Sequence, residues 1–417
     1  MGSLAVVSLI ALLVAIVIGF VRNVNVGILS MGFALVLGLV YGVTAKEIIA
    51  GFSGSLFIQM VGVTYLFAIL QKNGSLELMA KKVVRLTGKH AHLIPFVMFI
   101  IGFLLSASGP GSIPCLAIIP VIAIPVALSA GINPIMTAII GDLGVMSGRM
   151  SPITPEAAVV RELMEEQGLD GNTVPIMLGM TVTCLVIMAV VYIYYKGWKV
   201  DESVRGELEE LPKLTTIQIL SLIGLLILVI GVLFFGFNCG LAGFLIGSII
   251  LIIGGDSEKE AIKAIPWGVI LMVLGVGILM NVISLSGGID LMVTGLQAIM
   301  TKGTAELVMS IVAGVMSFFS SGLGVVFPTL VPTASGIGSA VGVDPVAIVT
   351  VIVIGGTVAG FTPISTTGAL IMAGVSQQEN AEEKFPQNRM FVELFVVSFV
   401  ALAILAVLCL TGIYSVF

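Results

Sequence analysis

Charge is what this sequence has least of. Of 417 residues only 10% are Asp, Glu, Lys or Arg, against 58% hydrophobic, and the mean hydropathy is +1.20. A soluble domain carries about a quarter charged residues, so a water-soluble globule is excluded and a polytopic membrane protein implied. Histidine is almost missing: His90 and His92 stand beside Lys89 in a basic stretch, read as a solvated loop. No imidazole lies in an apolar run to activate a serine, and no HExxH motif occurs. With no Walker sequence either, movement of a solute would draw on ion gradients or exchange. The four cysteines, Cys115, Cys184, Cys239 and Cys409, sit in or at the rim of apolar runs without paired spacing. They read as small packing residues, with neither a disulfide nor a metal site expected. The first apolar run, 3–21, lacks a basic segment before it and a cleavage site after it, so it reads as a span rather than a removed signal.

What is plentiful is glycine, 50 residues of it, as expected where membrane helices approach closely or break. Two stretches concentrate Gly, Pro and Ser. In the first, Ser106-Ala107-Ser108-Gly109-Pro110-Gly111-Ser112 precedes Gly141-Asp142 and Gly148-Arg149-Met150-Ser151-Pro152-Ile153-Thr154-Pro155. The second runs from Val315 to Gly368. Such backbone cannot stay helical, and at membrane depth it survives only where it is buried or lines a polar cavity.

The order of elements occurs twice. Spans 3–21, 26–43 and 55–70 lead to an interfacial helix over 74–86, a re-entrant hairpin over 93–130, a span over 135–163 broken near 148–152, and a span over 175–195. After a polar linker, 196–213, come 217–235, 241–253 and 267–285, an interfacial stretch over 287–300, a hairpin over 306–340, a broken span over 346–375, and 391–414. A shift of 213 places Asn25 on Asn238, Gly27 on Gly240 and Ser108-Gly109 on Ser321-Gly322; a shift of 211 places Gly144 on Gly355 and Pro152-Ile153 on Pro363-Ile364. Five crossings per half is an odd number, so the second half is expected upside down relative to the first. Basic residues orient the whole: with 72–92 in the cytoplasm, 14 Lys or Arg lie inside and only Lys46, Arg161 and Lys302 outside, following the positive-inside tendency. Both termini are then external. The fold expected is an all-α polytopic protein of two inverted repeats, 1–195 and 214–417.

Helix ends meeting at mid-membrane suit an anion at their N-termini and a cation at unwound carbonyls and hydroxyls. The candidates are Ser108, Gly109, Ser321 and Gly322 at the hairpin tips, Thr329 beyond the second tip, and Ser151, Thr154, Thr362, Ser365 and Thr366 in the broken spans. The plainer fate of any one Ser or Thr is a helix cap or a packing contact; it is their clustering at four related breaks that points to a site. Arg149 is the only Lys or Arg within a span core. Its fork suits a carboxylate, and it could equally pair with Asp142, seven residues earlier and nearly on the same helical face; the pair is favoured. Asp142 itself could ligate a cation, carry a proton or neutralise Arg149. Glu156 follows the first break too near a span end to be placed at membrane depth. Glu162, Glu165, Glu166 and Asp170 read as a solvated acidic loop.

At these residues the chain resembles the ion transporter superfamily, and most closely the MatC-type malonate and dicarboxylate carriers. The likeness rests on hairpin plus broken span occurring twice, on Ser108-Gly109-Pro110-Gly111 with Ser321-Gly322-Leu323-Gly324, and on Ser151-Pro152-Ile153 with Thr362-Pro363-Ile364. It implies an elevator-type homodimer in which 1–90 and 214–302 form a scaffold while 91–195 and 303–417 carry substrate across. In the related divalent-anion sodium symporters each tip bears a Ser-Asn-Thr signature; Ser108 and Ser321 match its serine, while Gly109 and Gly322 replace its asparagine. The substrate set expected is Ser108, Gly109, Arg149, Ser321, Gly322, Thr329, Thr362 and Ser365. The Na⁺ set expected is Ser106, Ser108, Asp142, Gly148, Ser151, Ser320, Ser321 and Thr357. The reading is a carrier in a bacterial or archaeal plasma membrane, importing malonate or a C4-dicarboxylate by Na⁺ symport. The alternatives are an Na⁺/H⁺ antiporter working through Asp142 and, least favoured, an intramembrane enzyme.

Overall fold

Every regular element described in the computed structural model is helical; the structure describes residues 2–22, 24–75, 78, 82, 91–199, 212–254, 258–319, 321–362, 365–376 and 384–416. Most of the interfacial helix expected over 74–86 and most of the linker lie outside the described residues.

The first half runs α1 Gly2–Arg22, α2 Val26–Tyr41, a short α3 Ala45–Ile49 and α4 Gly54–Lys72. A hairpin follows, α5 Ile94–Ala107 and α6 Ser112–Ser129, then α7 Pro134–Gly148, α8 Pro155–Glu165 and α9 Val174–Tyr194. The second half repeats this with α10 Thr216–Phe235, α11 Cys239–Gly254, a short α12 Glu258–Ala264, α13 Trp267–Leu285, α14 Gly288–Gln297 and α15 Ala305–Phe319. Its hairpin returns through a π-helical turn Gly322–Val326, α16 Phe327–Leu330 and α17 Ala334–Val341, before α18 Pro345–Val358, α19 Thr366–Ser376 and α20 Gln387–Leu410. Among the described residues, six helical stretches of 18 residues or more are apolar enough to cross a membrane, α6 and Gly322–Val341 among them. Leu, Val, Ile and Phe side chains on α1, α2, α10, α11 and α20 remain exposed, as they would toward hydrocarbon rather than water.

The two halves interlock reciprocally. α2 packs on α13, and the corresponding pair α11 and α4 pack on each other. A Cβ on Gly27 would strike the Leu271 carbonyl; at a shift of 213, one on Gly240 would strike the Ile58 carbonyl. Likewise Gly275 lies against Gly27, and Gly62 against Gly240. Within each half the hairpin arm lies along the broken span, α5 on α7 and α15 on α18. Gly144 meets the Phe99 carbonyl there as Gly355 meets that of Ser310, a shift of 211 in both positions. Small residues permit these backbone approaches, which is how membrane helices gain packing energy without a hydrophobic driving force.

Candidate functional site

The first break is built by caps and prolines. Asn133 caps α7, its Oδ1 accepting from Met136 N at 2.9 Å, and Pro134 occupies the first turn where no N–H is needed. Pro152 and Pro155 prevent the helix from continuing past Gly148. Thr154 staples the gap: its hydroxyl donates to the Arg149 carbonyl at 2.6 Å and accepts from Ala157 N at 3.1 Å, capping α8. Ser151 accepts from the same hydroxyl through its carbonyl at 3.0 Å.

Arg149 therefore sits on turning backbone rather than inside a helix, and the residue is 7% exposed. The fork is held on three sides. Nε donates to Glu156 Oε2 at 3.2 Å and Nη2 to Oε1 at 3.3 Å. Nη1 donates to Thr357 Oγ1, in α18 of the other half, at 2.8 Å. The guanidinium carbon lies 5.4 Å from the centre of the Phe327 ring, within cation–π range. The partner expected in the favoured reading, Asp142, is not the one found. The gap at 149–154 folds the chain back, so the first turn of α8 delivers Glu156 to Arg149, whereas Asp142 stays along the unbroken α7. Both carboxyl oxygens of Asp142 are buried without a hydrogen-bond partner.

Glu156, 1% exposed, also closes the first hairpin. Ser112 N donates to Oε2 at 3.0 Å, and the Ser112 hydroxyl donates to Oε1. The carboxylate thus occupies the N-terminus of α6, where the helix dipole favours negative charge. Gly111 makes room: its φ is +72°, and a Cβ there would press on Glu156 Oε2.

A cavity of about 370 Å³ opens beside this cluster, lined by Ser112, Met146 and Arg149 from the first half and Ser317, Ser321, Gly322, Gly356, Thr357, Ser365 and Thr367 from the second. Among the described residues of that lining, Arg149 is the only charged group. Of the expected substrate residues, Arg149, Ser321, Gly322 and Ser365 come together here. The Ser321 hydroxyl caps the π turn by accepting from Gly324 N at 3.0 Å; Ser365 donates to the Thr362 carbonyl at 2.6 Å and to that of Gly360.

Ser108 and Gly109 lie apart from the cavity. Ser108 donates to the Leu105 carbonyl at 2.8 Å, and Gly109 is packed near Phe67. Thr329 and Thr362 are buried with unpartnered hydroxyls away from the lining. In the Na⁺ set, Ser106 is buried and unpartnered like Asp142, Gly148 packs on the Phe103 carbonyl, and Ser320 lies outside the described residues. Thr357, expected on a cation, instead faces the guanidinium, which would repel one. The contacts that sequence reasoning missed are Ser112 and Glu156. The signal for them was Ser112 as the first residue after a Gly-Pro-Gly turn, and a carboxylate in the first turn of a helix beginning Thr154-Pro155.

A larger cavity, about 470 Å³, lies between the α3–α4 corner, α8 and α13, with Glu162, Glu166, Asn281 and Ser284 in its lining. Burial, then the like charge of Glu162, raises the Glu166 carboxyl above its ordinary value. A mouth lined by two acids disfavours an anion, so the Arg149 cavity is the candidate.

Against known proteins, residues 2–149 match the family model for the dicarboxylate carrier protein MatC N-terminus. No curated protein matches the chain. Its fold is similar to that of the YdaH transporter of Alcanivorax borkumensis, at 12% identity and a TM-score of 0.61, covering 90% of this chain and 88% of that one. It is also similar to MtrF of Neisseria gonorrhoeae, described with a class of antimetabolite efflux pumps, at 15% identity and a TM-score of 0.52, covering 89% and 84%. The chain is an integral membrane protein with a fold shared by solved transporters.

Proposed function

We propose that this protein is a secondary carrier for a small dicarboxylate such as malonate or a C4-dicarboxylate. One observation carries the reading: a single buried guanidinium lines a cavity made jointly by two broken spans and two hairpins. Arg149 makes three hydrogen bonds through five N–H groups, which leaves two donors for a carboxylate. Hydroxyls at Ser112, Ser317, Ser321 and Ser365 surround the space available for a second carboxylate. The match of 2–149 to a dicarboxylate carrier model supports the same substrate class.

Coupling to Na⁺ is part of the proposal. The unpartnered oxygens of Asp142, with unpartnered hydroxyls at Ser106 and Thr362, are the kind of hard donors Na⁺ takes, and a buried carboxylate without a partner is costly unless a cation or proton joins it. The reciprocal contacts support two inverted repeats that move the hairpins and broken spans against a scaffold of the early spans, the exposed faces of α1, α2, α10 and α11 offering surface for a homodimer. Counterflow of labelled malonate or succinate in proteoliposomes, with and without Na⁺, tests the reading. Exchange of label that depends on the unlabelled acid is expected; its absence for every small carboxylate tried overturns it. The orphaned Asp142 also keeps the antiporter reading, and an Na⁺ flux driven by pH alone without organic anion would favour that instead.

A further inference from the structure

Glu156 lies outside the cavity lining, yet it is wired into the charged group that lines it. We propose that Glu156 is a proton-coupling residue: entry of the dianion beside Arg149 is accompanied by uptake of one proton from solution onto Glu156. The inference rests on the carrier reading above and names a coupling ion for that same site.

Charge comes first. Arg149 and Glu156 form a neutral unit at 3.2 Å, and the described residues of the cavity lining include no other charge. A dicarboxylate seated on the free donors of Arg149 would place two negative charges across a guanidinium from a third. Water cannot screen that arrangement, because Glu156 is 1% exposed, and a buried charge lacking compensation is strongly unfavourable. A proton on Glu156 returns one net positive charge to the site.

The hydrogen bonds permit this without rearrangement of the backbone. Ser112 N–H and Arg149 Nε–H both point at Oε2, which accepts whether the group is acid or carboxylate. Oε1 faces the Ser112 hydroxyl and Arg149 Nη2. A serine hydroxyl donates or accepts with equal ease. With the proton on Oε1, the new O–H donates to Ser112 Oγ, the serine hydroxyl turns its own hydrogen to the cavity, and Nη2–H is released to the substrate.

Asp142 on α7 is the other buried acid, without a partner, and uptake there would persist in Glu156→Gln; none of the remaining groups facing Glu156 is placed to take the proton. Arg149 stays charged. Cys115 on α6 lies within electrostatic reach of both Glu156 and Asp142, and a thiol does not gain a proton. On α8 itself Arg161 is engaged with the Pro152 carbonyl at 2.7 Å and Glu162 lies beyond it in the other cavity. From α4, Lys72 is paired with Glu260 at 2.6 Å, and α16 presents Phe327, Pro328 and Thr329 without charge.

The test is titration calorimetry of malonate and succinate into purified protein at pH 7.5, in two buffers of different protonation enthalpy. The difference in apparent heat counts protons taken up per substrate bound. Wild type should take up a measurable fraction of one proton; Glu156→Gln should take up none and bind at least as tightly. Binding by wild type without proton uptake, or uptake that persists in Glu156→Gln, overturns the inference and leaves the carrier reading standing. Absence of dicarboxylate binding by folded wild type at any pH overturns both. If Glu156→Gln does not accumulate, infrared difference spectra of wild type carrying ¹³C-carboxyl glutamate decide the matter. A substrate-induced protonated-carboxyl band that shifts with the label supports Glu156, and a band that does not shift overturns it.

Discussion

Glu156 holds Arg149 side-on, Oε2 on Nε at 3.2 Å and Oε1 on Nη2 at 3.3 Å, from the far side of the stretch 149–154 in which the helix has stopped. Removing one partner strands the other in a buried site. Arg149→Ala should lower stability by about 3–5 kcal/mol, and the double variant Arg149→Ala/Glu156→Ala should recover much of that loss. Melting temperatures of the two singles and the double in one detergent check the cycle; additive losses would show that the pair is not a unit.

Arg149→Lys separates charge from geometry. Lysine keeps the charge but, as a point donor, cannot serve Glu156, Thr357 and a substrate carboxylate together. The concentration for half-maximal uptake should rise roughly tenfold or more, the scale of one lost charge-assisted hydrogen bond, while protein yield holds. Unchanged half-saturation would remove Arg149 from the substrate site.

Gly111 is where backbone and site chemistry meet. Its φ of +72° is poorly tolerated by residues with a Cβ, and a Cβ would press on Glu156 Oε2. Gly111→Ala should cost about 1–3 kcal/mol from the backbone alone, because φ +72° with ψ −161° is a region glycine alone occupies readily, with loss of uptake beyond that of a neutral change. Gly32→Ala is the control, since nothing lies within 4 Å of its added carbon; in the interior of α2 it should be neutral or slightly stabilising. Equal behaviour of the two variants in melting and uptake would dissociate Gly111 from the site.

Much of the fold was legible because the bilayer leaves few options: apolar runs become helices, and Gly-Pro-Ser clusters become the places where they stop. The break expected near 148–152 appears at 149–154, and the interfacial stretch expected over 287–300 contains α14. The pairing of Arg149 was not legible. A spacing of seven residues puts Asp142 beneath Arg149 only while the helix continues, and the same Pro152 and Pro155 that announce the break redirect the next carboxylate onto the guanidinium. Ser108 and Ser112 likewise differ by one turn of chain, and a positive-φ turn at Gly111 stands between them, with Ser112 and not Ser108 in the cavity lining. Thr357 was picked for its hydroxyl, but the charge opposite a hydroxyl comes from a distant segment and leaves no local trace.

Asp142 offers a separate reading of the cation. Its two oxygens are buried without partners, so an isosteric amide removes a costly group in the empty protein. Asp142→Asn should melt at or above the wild-type temperature without Na⁺; Na⁺ should raise the melting temperature of wild type and leave that of Asp142→Asn unchanged. A Na⁺-induced rise that survives in Asp142→Asn would place the ion elsewhere.

The proposed upside-down arrangement of the halves makes a prediction about sides. Lys46, in α3, and Lys259, in α12, occupy corresponding positions at a shift of 213, and the reciprocal contacts of Gly27 with Leu271 and Gly240 with Ile58 relate α2 and α11, the helices that precede them. If the second half is inverted, these two equivalent lysines lie on opposite faces of the membrane, Lys46 outside and Lys259 inside. All four native cysteines are buried, so wild type should react little with a membrane-impermeant maleimide. Lys46→Cys should label in intact cells, and Lys259→Cys only after the membrane is opened. Both residues are exposed, on short helices, so a cysteine there disturbs little packing. Labelling of both from the same side would mean that the repeats run parallel, and the joint cavity at Arg149 would then need a different account of how it reaches each face.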